Sequence, residues 1–539
     1  MKKTLAIIFT LLAGVTLSAQ NLDPVVEVTN AYSREATGIE KPSQLLPLPD
    51  SVSRFNLDFD YSVKPTPYKG AYEFNPYLIE MRPGAMPSPE NRLYLSAGAG
   101  YSLHPQLDFV WNPVRKDGMR FNLYAHHRSY FGDYRNITFG ADALEHDGTS
   151  LGKGMNANTL AGAGFLYGYK GGTFTADFSY RNTSATDFFM SEHSAAMHNR
   201  VQAKLRVKGG RKFQYEAGTR IGYGAYSAQG ELFTKTDLSL GFGIGKSLLS
   251  VGAGLESVSY DLGSAAIWEV MPHYLYSGGH LKARLGVKIS GVLHSSDTDY
   301  AYGGGFIFPD VSLSFRIAEG AVLQAAATGG NSLNTYDSLL GLNPYLAGFA
   351  WTRDVTVERF NVWGGVKGSA SGRFYYDIKA GYKWFDNAFA WSYYSTPLLP
   401  AMVYASPLRT LYADAQMGWR SSSWDVSAHV YYGNTAIPEL ETELEKNVLA
   451  PAAFSADGHV LYNWNDRVRV GALVEARSSL NGRLPVPAYQ DLGLLAEYGF
   501  SRYMTFWLRG GNLLNQSIQR IPFHAEGGIY VTGGVRIVL

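Results

Sequence analysis

The sequence predicts an all-β protein: a transmembrane antiparallel β-barrel of about 22 strands, with short periplasmic turns and long extracellular loops. Three observations carry this expectation. Apolar and polar residues alternate in twos from residue 92 to the end, tight turns alternate with longer connections, and a secretory signal stands at the start.

The signal occupies residues 1–20. Lys2 and Lys3 form its basic end, Leu5 to Leu17 its apolar stretch, and Ser18-Ala19-Gln20 a small-residue cleavage site. That apolar run is too short for an anchor helix. The chain has no cysteine, which excludes a disulfide framework and a lipid-modified N-terminal cysteine. After the signal no run of eighteen apolar residues occurs, so any crossing of a membrane must use strands.

The alternation is regular. Val201, Ala203, Leu205 and Val207 are interleaved with Gln202, Lys204, Arg206 and Lys208, and the stretch from Leu281 to Ser290 repeats the pattern. Successive side chains of a strand point to opposite faces, so each stretch has one apolar and one charged face. In a membrane barrel the apolar face meets lipid and the other lines the lumen. The 37 tyrosines and 59 glycines fit aromatic girdles and crowded strands. The formal charge of +1, with 47 basic and 46 acidic residues interspersed, argues against a nucleic-acid partner.

Turn chemistry sets the strand count. Tight turns fall at Lys116-Asp117-Gly118, Lys170-Gly171-Gly172, Gly209-Gly210-Arg211, Gly245-Lys246-Ser247, Ser277-Gly278-Gly279, Ala318-Glu319-Gly320, Ser371-Gly372, Ser421-Ser422, Asn465-Asp466 and Ser501-Arg502. Longer segments join the strands on the other side, at residues 132–156, 183–198, 331–354, 386–408, 434–452 and 512–526. Ten tight turns imply eleven hairpins, hence 22 strands with both barrel ends in the periplasm. The barrel is thus assigned to residues 92–539. Residues 21–91 hold ten of the 23 prolines and are expected to form an extended periplasmic or lumen segment.

Two stretches resemble TonB-dependent receptors of the outer membrane. One is the C-terminal Asn512-Leu513-Leu514-Asn515 turn, followed by Gly528, Gly533 and Gly534. The other is Asn343-Pro344-Tyr345-Leu346 with Glu358 and Gly364 after it. The resemblance implies an outer-membrane location, a transport role and contact with TonB. Asp23-Pro24-Val25-Val26-Glu27-Val28-Thr29 is similar to a TonB box, which makes Val25, Val26, Glu27 and Val28 the candidate periplasmic contact. Two departures stand against the family pattern. Proline-rich residues 21–91 replace a folded plug, and the last residue is Leu539 where an aromatic is usual. With the Ala-Gln end of the signal, the chain looks most like plug-less receptor-like barrels of Bacteroidota.

No catalytic constellation emerges, and neither a metal site nor a cofactor is expected. His126 and His127 are adjacent on a strand and point apart, so they cannot share a metal. Asp297-Thr298-Asp299 lacks further oxygen ligands, and Glu439, Glu441, Glu443 and Glu445 read as a solvated acidic loop. On the inferred lumen face Lys204, Arg206, Lys208, Lys282, Arg284 and Lys288 form a candidate basic cluster, with Asp177, Asp377, Asp414 and Asp425 as acids. Mixed signs argue against a simple ion-selective ring. A barrel this wide needs a stopper, which residues 21–91, infolded loops or a partner could supply. The expected function is uptake of a ligand across the outer membrane. The alternative is a structural subunit of an envelope complex that docks periplasmic partners through residues 21–91. Expected partners are outer-membrane lipid, lipopolysaccharide, and TonB or another periplasmic or outer-membrane protein.

Overall fold

The structure, a computed structural model, describes residues 92–101, 104–116, 118–139, 144–186, 195–226, 229–260, 263–294, 303–345, 355–393, 400–405, 407–437 and 447–539. Residues 21–91, Asp297-Thr298-Asp299 and the acidic loop from Glu439 to Glu445 lie outside them.

Twenty-two antiparallel strands close into one barrel. In chain order they are Leu93–Tyr101, Gln106–Lys116, Met119–Phe139, Leu144–Tyr169, Gly172–Thr186, Ala195–Gly209, Phe213–Tyr226, Gln229–Ile244, Ser247–Tyr260, Gly263–Ser277, Leu281–His294, Gly304–Ala318, Ala321–Leu333, Val355–Ala370, Phe374–Tyr393, Leu408–Arg420, Trp424–Ala436, Phe454–Trp464, Val468–Arg477, Tyr489–Gly499, Met504–Gly511 and Tyr530–Val538. Each pairs with the next, and the first closes on the last from Tyr94↔Val538 to Tyr101↔Val531. Three further short strands, Pro400–Ala405, Ile518–Ile521 and His524–Glu526, belong to connections.

The alternation sorts side chains as the sequence predicts. Along the ninth strand Leu249, Val251 and Leu255 are about half exposed, at 59%, 49% and 51%, on the outer face, while Ser250 on the inner face is buried. Among the described residues no helix is long and apolar enough to cross a membrane. An outward apolar band on a closed barrel does that work instead, because every strand edge is paired within the sheet. The tight turns follow backbone needs. Asn465 and Asp466 both adopt left-handed conformations, with φ of 48° and 55°. Both central residues of a type I′ hairpin require this, and it matches the twist of the flanking strands.

The long connections differ from the expectation in two respects. Residues 132–156 are mostly strand, since the third and fourth strands stay paired, with register shifts beside Arg135, up to Phe139↔Leu144. Also, the seventh and eighth strands, and the ninth and tenth, are joined on the outer side by two residues each. Ladder pairing continues there because the alternation runs on past the membrane-crossing length.

Trp507 secures the seam. It stands opposite Gly534, which stands opposite Gly98, and its buried ring lies over both glycines. A Cβ on Gly98 would strike this ring and come within 2.7 Å of the Gly533 carbonyl. Replacing Gly98 with valine is therefore expected to cost about 1–3 kcal/mol through overpacking. The readout is loss of the heat-modifiable folded band on gels. Unchanged heat resistance would show that the seam tolerates a Cβ.

Candidate functional site

On the long-loop side, the described parts of several connections pack against one another and against strand ends. A single apolar cluster there joins strand ends from around the barrel to loop residues, including Tyr226, Val258, Ile267, Phe308, Trp391 and Phe523. Three loop elements build this cap.

The first is a short helix, Tyr336–Leu342, in the connection after the thirteenth strand. Thr335 caps it by accepting from the Ser338 N–H at 3.1 Å. Tyr336, Leu339 and Leu340 are buried, and the Tyr336 ring stacks on Tyr226 at 4.4 Å. Two carboxylates latch the helix to the wall. Asp337 pairs with Arg200, and with Arg181 at 3.7 Å. Glu231 accepts from the Tyr336 N–H at 2.5 Å, satisfying one of the orphan donors of the helix start. Beside the latch lies a small cavity of about 20 Å³, walled in part by His198, Tyr226 and Arg200. Neither His198 ring nitrogen nor the Tyr226 hydroxyl meets a partner among the described residues. The space suits one water molecule.

The second element is the hairpin Ile518–Glu526 before the last strand. Its core is Arg520, which pairs with Asp491, and with Glu475 and Glu526 at 3.4 Å each. Arg477 donates to the Gln519 carbonyl at 2.7 Å. The Asn-Leu-Leu-Asn turn holds the base of the hairpin: Asn512 Nδ2 donates to the carbonyls of Gln516 at 2.7 Å and Gly528 at 3.1 Å. The third element brings Leu449 onto Trp391 through a 2.8 Å backbone bond. The pieces then lock together. Tyr345 stacks on His524 at 3.8 Å, and its hydroxyl lies 2.8 Å from that of Tyr134.

The six predicted basic residues alternate with the exposed Val201, Leu205, Leu281, Leu285 and Val287 and do not form one cluster. They stand on the sixth and eleventh strands, with four strands between. Arg206 pairs with Glu216 at 2.8 Å, Arg284 with Asp310 at 2.6 Å and Lys288 with Glu269 at 3.6 Å. Lys204 lies opposite Asp177 and Arg220, Lys208 opposite Glu216, and Lys282 opposite Ser314. His126 meets Asp108 at 3.0 Å, whereas His127 turns to Thr159 at 2.8 Å, so the two histidines do point apart. No group of three or more metal-ligating side chains occurs among the described residues. Sequence reasoning missed the cap's charged anchors, Asp337, Glu231, Arg200 and Arg520. Only the Thr335-Tyr336-Asp337-Ser338 capping pattern hinted at the helix.

No protein-family model matches the chain, and no curated protein matches its sequence. Its fold does match solved structures. The FrpB iron transporter of Neisseria meningitidis superposes with a TM-score of 0.63 at 10% identity, covering 83% of this chain and 81% of that one. The siderophore receptor PiuA of Acinetobacter baumannii gives 0.60 at 10% identity, over 84% and 83%. The Pseudomonas aeruginosa ferric enterobactin receptor, crystallised with enterobactin, gives 0.60 at 11% identity, over 83% and 81%. The architecture is therefore a closed 22-strand antiparallel β-barrel, similar in fold to the barrels of these iron and siderophore proteins.

Two outcomes follow for the cap. Asp337→Asn removes one side of a largely buried pair and is expected to cost the latch about 2 kcal/mol, less than a fully enclosed pair because Asp337 keeps some solvent. A maleimide should then label Leu340→Cys faster in the Asp337→Asn background, in a chain that has no other cysteine. Equal labelling would mean that the apolar contacts alone hold the helix. Burial pushes the His524 imidazole down to about 4. The unfolded value is about 6.5, so protonation favours the released hairpin. His524 thus supports the cap fully above pH ~6.5 and loses that support as pH falls toward 4. Bilayer conductance should rise between pH 7 and pH 5 in the wild type and less so in His524→Phe, which keeps the ring stack. The same rise in both would acquit His524.

Proposed function

We propose that this chain is a receptor-like transport barrel of the outer membrane, whose packed extracellular cap is the closed state of a ligand entry path. The observation that carries the reading is the pairing of a closed mouth with a polar lumen beneath it. An apolar loop cluster seals the outer end, while below it ion pairs such as Arg284–Asp310 line a partly solvated wall. The cap is built from separate loops, latched by a few charged groups, so it can open without breaking the barrel ladder. The likeness to iron transporters and siderophore receptors supports transport as the class of activity.

In this reading the exposed apolar band contacts outer-membrane lipid and lipopolysaccharide. Residues 21–91 reach a periplasmic partner, TonB or another envelope protein, through Val25, Val26, Glu27 and Val28. Reaction chemistry has no part in it. The six basic lumen residues tune the passage for anionic cargo. The second reading, a structural subunit of an envelope complex, draws on the same cap, because a fully packed apolar seal also suits a barrel that never opens.

Planar bilayers separate the two. Deleting the hairpin Ile518–Glu526 should convert a silent barrel into one with steady conductance, and energy-dependent uptake should be lost in Val26→Pro. A barrel that stays silent without the hairpin, and co-purifies in fixed proportion with other envelope proteins, would sink the transport reading.

A further inference from the structure

Five charged residues form one row across the lumen wall. Asp177, Lys204, Arg220, Lys235 and Glu256 face one another in register on five successive strands. The ends of the row are engaged. Asp177 accepts from the Tyr124 hydroxyl at 2.8 Å, and Lys235 pairs with Glu256. Its centre is not: Lys204 and Arg220 are directly opposed, and neither makes an ion pair among the described residues. Arg181 and Arg200 add to the repulsion on Lys204 while Asp177 attracts it, and Glu256, Asp337 and Asp237 attract Arg220. Directly opposed like charges destabilise a sheet.

The wall is recessed at this point. Gly218, Gly222 and Gly224 share the inner face of the seventh strand with Arg220; a Cβ on Gly222 would stand 3.1 Å from the Arg200 guanidinium, and one on Gly218 would stand 3.3 Å from the Asp237 carboxylate. Two half-buried cations, side by side in a glycine-lined recess, fit a pair of carboxylates.

We infer that the carboxylates of Asp58 and Asp60, in the chain's own N-terminal segment, dock on Lys204 and Arg220. Charge complementarity is the first support. Residues 21–91 hold ten acidic and six basic side chains, whereas residues 92–539 hold 36 acidic and 39 basic. Asp58 and Asp60 are the most closely spaced carboxylates of that segment. Position is the second support. The segment joins the barrel at Arg92, whose N–H donates to the Leu539 carbonyl on the short-turn rim. The apolar cluster packs at the opposite, long-loop end, so the segment enters from the rim it is attached to. Reach is the third. Arg220 lies seven residues from Phe213 at the rim end of its strand, roughly 23 Å along it. The 31 residues between Asp60 and Arg92 span up to about 100 Å. Enough chain precedes Asp58 to return to the rim, which leaves Val25–Val28 outside. The inference needs only the short turns on the periplasmic side, and it holds for either function above.

Full-length protein in detergent tests it. Trypsin should cut at Arg54 and Lys69 slowly in the wild type and about tenfold faster in K204E/R220E, the scale expected when charge-assisted contacts are lost. A heat-modifiable band verifies that the variant barrel is folded. K204Q/R220Q provides a second variant in which the mutual repulsion is gone, so its barrel should be at least as heat-resistant as the wild type while cleavage still speeds up. With Phe59→Cys and Gln202→Cys combined, a short bis-maleimide should join the segment to the wall, and high salt should suppress the joining. Cleavage at Arg54 and Lys69 that is equally fast in wild type and both variants overturns the inference. So does protection by added inorganic phosphate of Lys204 from amine labelling when the segment itself is freely cut, because the recess then serves a soluble anion.

Discussion

The structure depends on one constraint: in hydrocarbon, every backbone N–H and C=O of a strand must find a partner in the same sheet. An open sheet of 22 strands would leave two unpaired edges in lipid. Pairing of Tyr94–Tyr101 with Val531–Val538 removes both. Closure then dictates the rest. It places both barrel ends on one rim, fixes which face of each strand meets lipid, and encloses a lumen too wide for wall side chains to fill. That emptiness is what the loops and the charged lumen residues answer.

The cap answers it at the outer end with two kinds of force. Apolar burial supplies the bulk, as Tyr336, Leu339, Trp391 and Phe523 leave water together. Charged anchors supply register. Asp337 against Arg200 and Arg181, and Arg520 among Asp491, Glu475 and Glu526, hold each loop at one position on the wall. Buried ion pairs of this sort contribute little net stability but resist misplacement, because a displaced charge is left unpaired. A seal made this way is tight yet divisible, since each loop carries its own anchor.

The lumen wall below obeys a different balance. Most inward charges are matched across neighbouring strands, as in Arg206–Glu216, Arg284–Asp310 and Lys288–Glu269. Matching lets a wide barrel keep polar groups inside without a strong field of one sign. The opposed Lys204 and Arg220 depart from that balance, and departures from local consistency mark functional positions.

The sequence by itself determined the barrel. Two-residue alternation, turn residues and their count specify 22 strands, their faces and their direction, because these follow from backbone geometry that each short window carries on its own. It also placed Lys204, Arg206, Lys208, Lys282, Arg284 and Lys288 on the strand face opposite their apolar neighbours, and the Asn512 turn near the end. Strand length beyond the membrane was less legible: residues 132–156 read as a connection because nothing local distinguishes a protruding ladder from a loop. Only the tertiary structure decided the cap. Asp337 meets Arg200 across 136 intervening residues, and Arg520 meets Glu475 across 44. Neither pairing leaves a periodic trace, because contacts between loops obey no repeat. They exist only once the closed sheet has brought distant strand ends to the same rim.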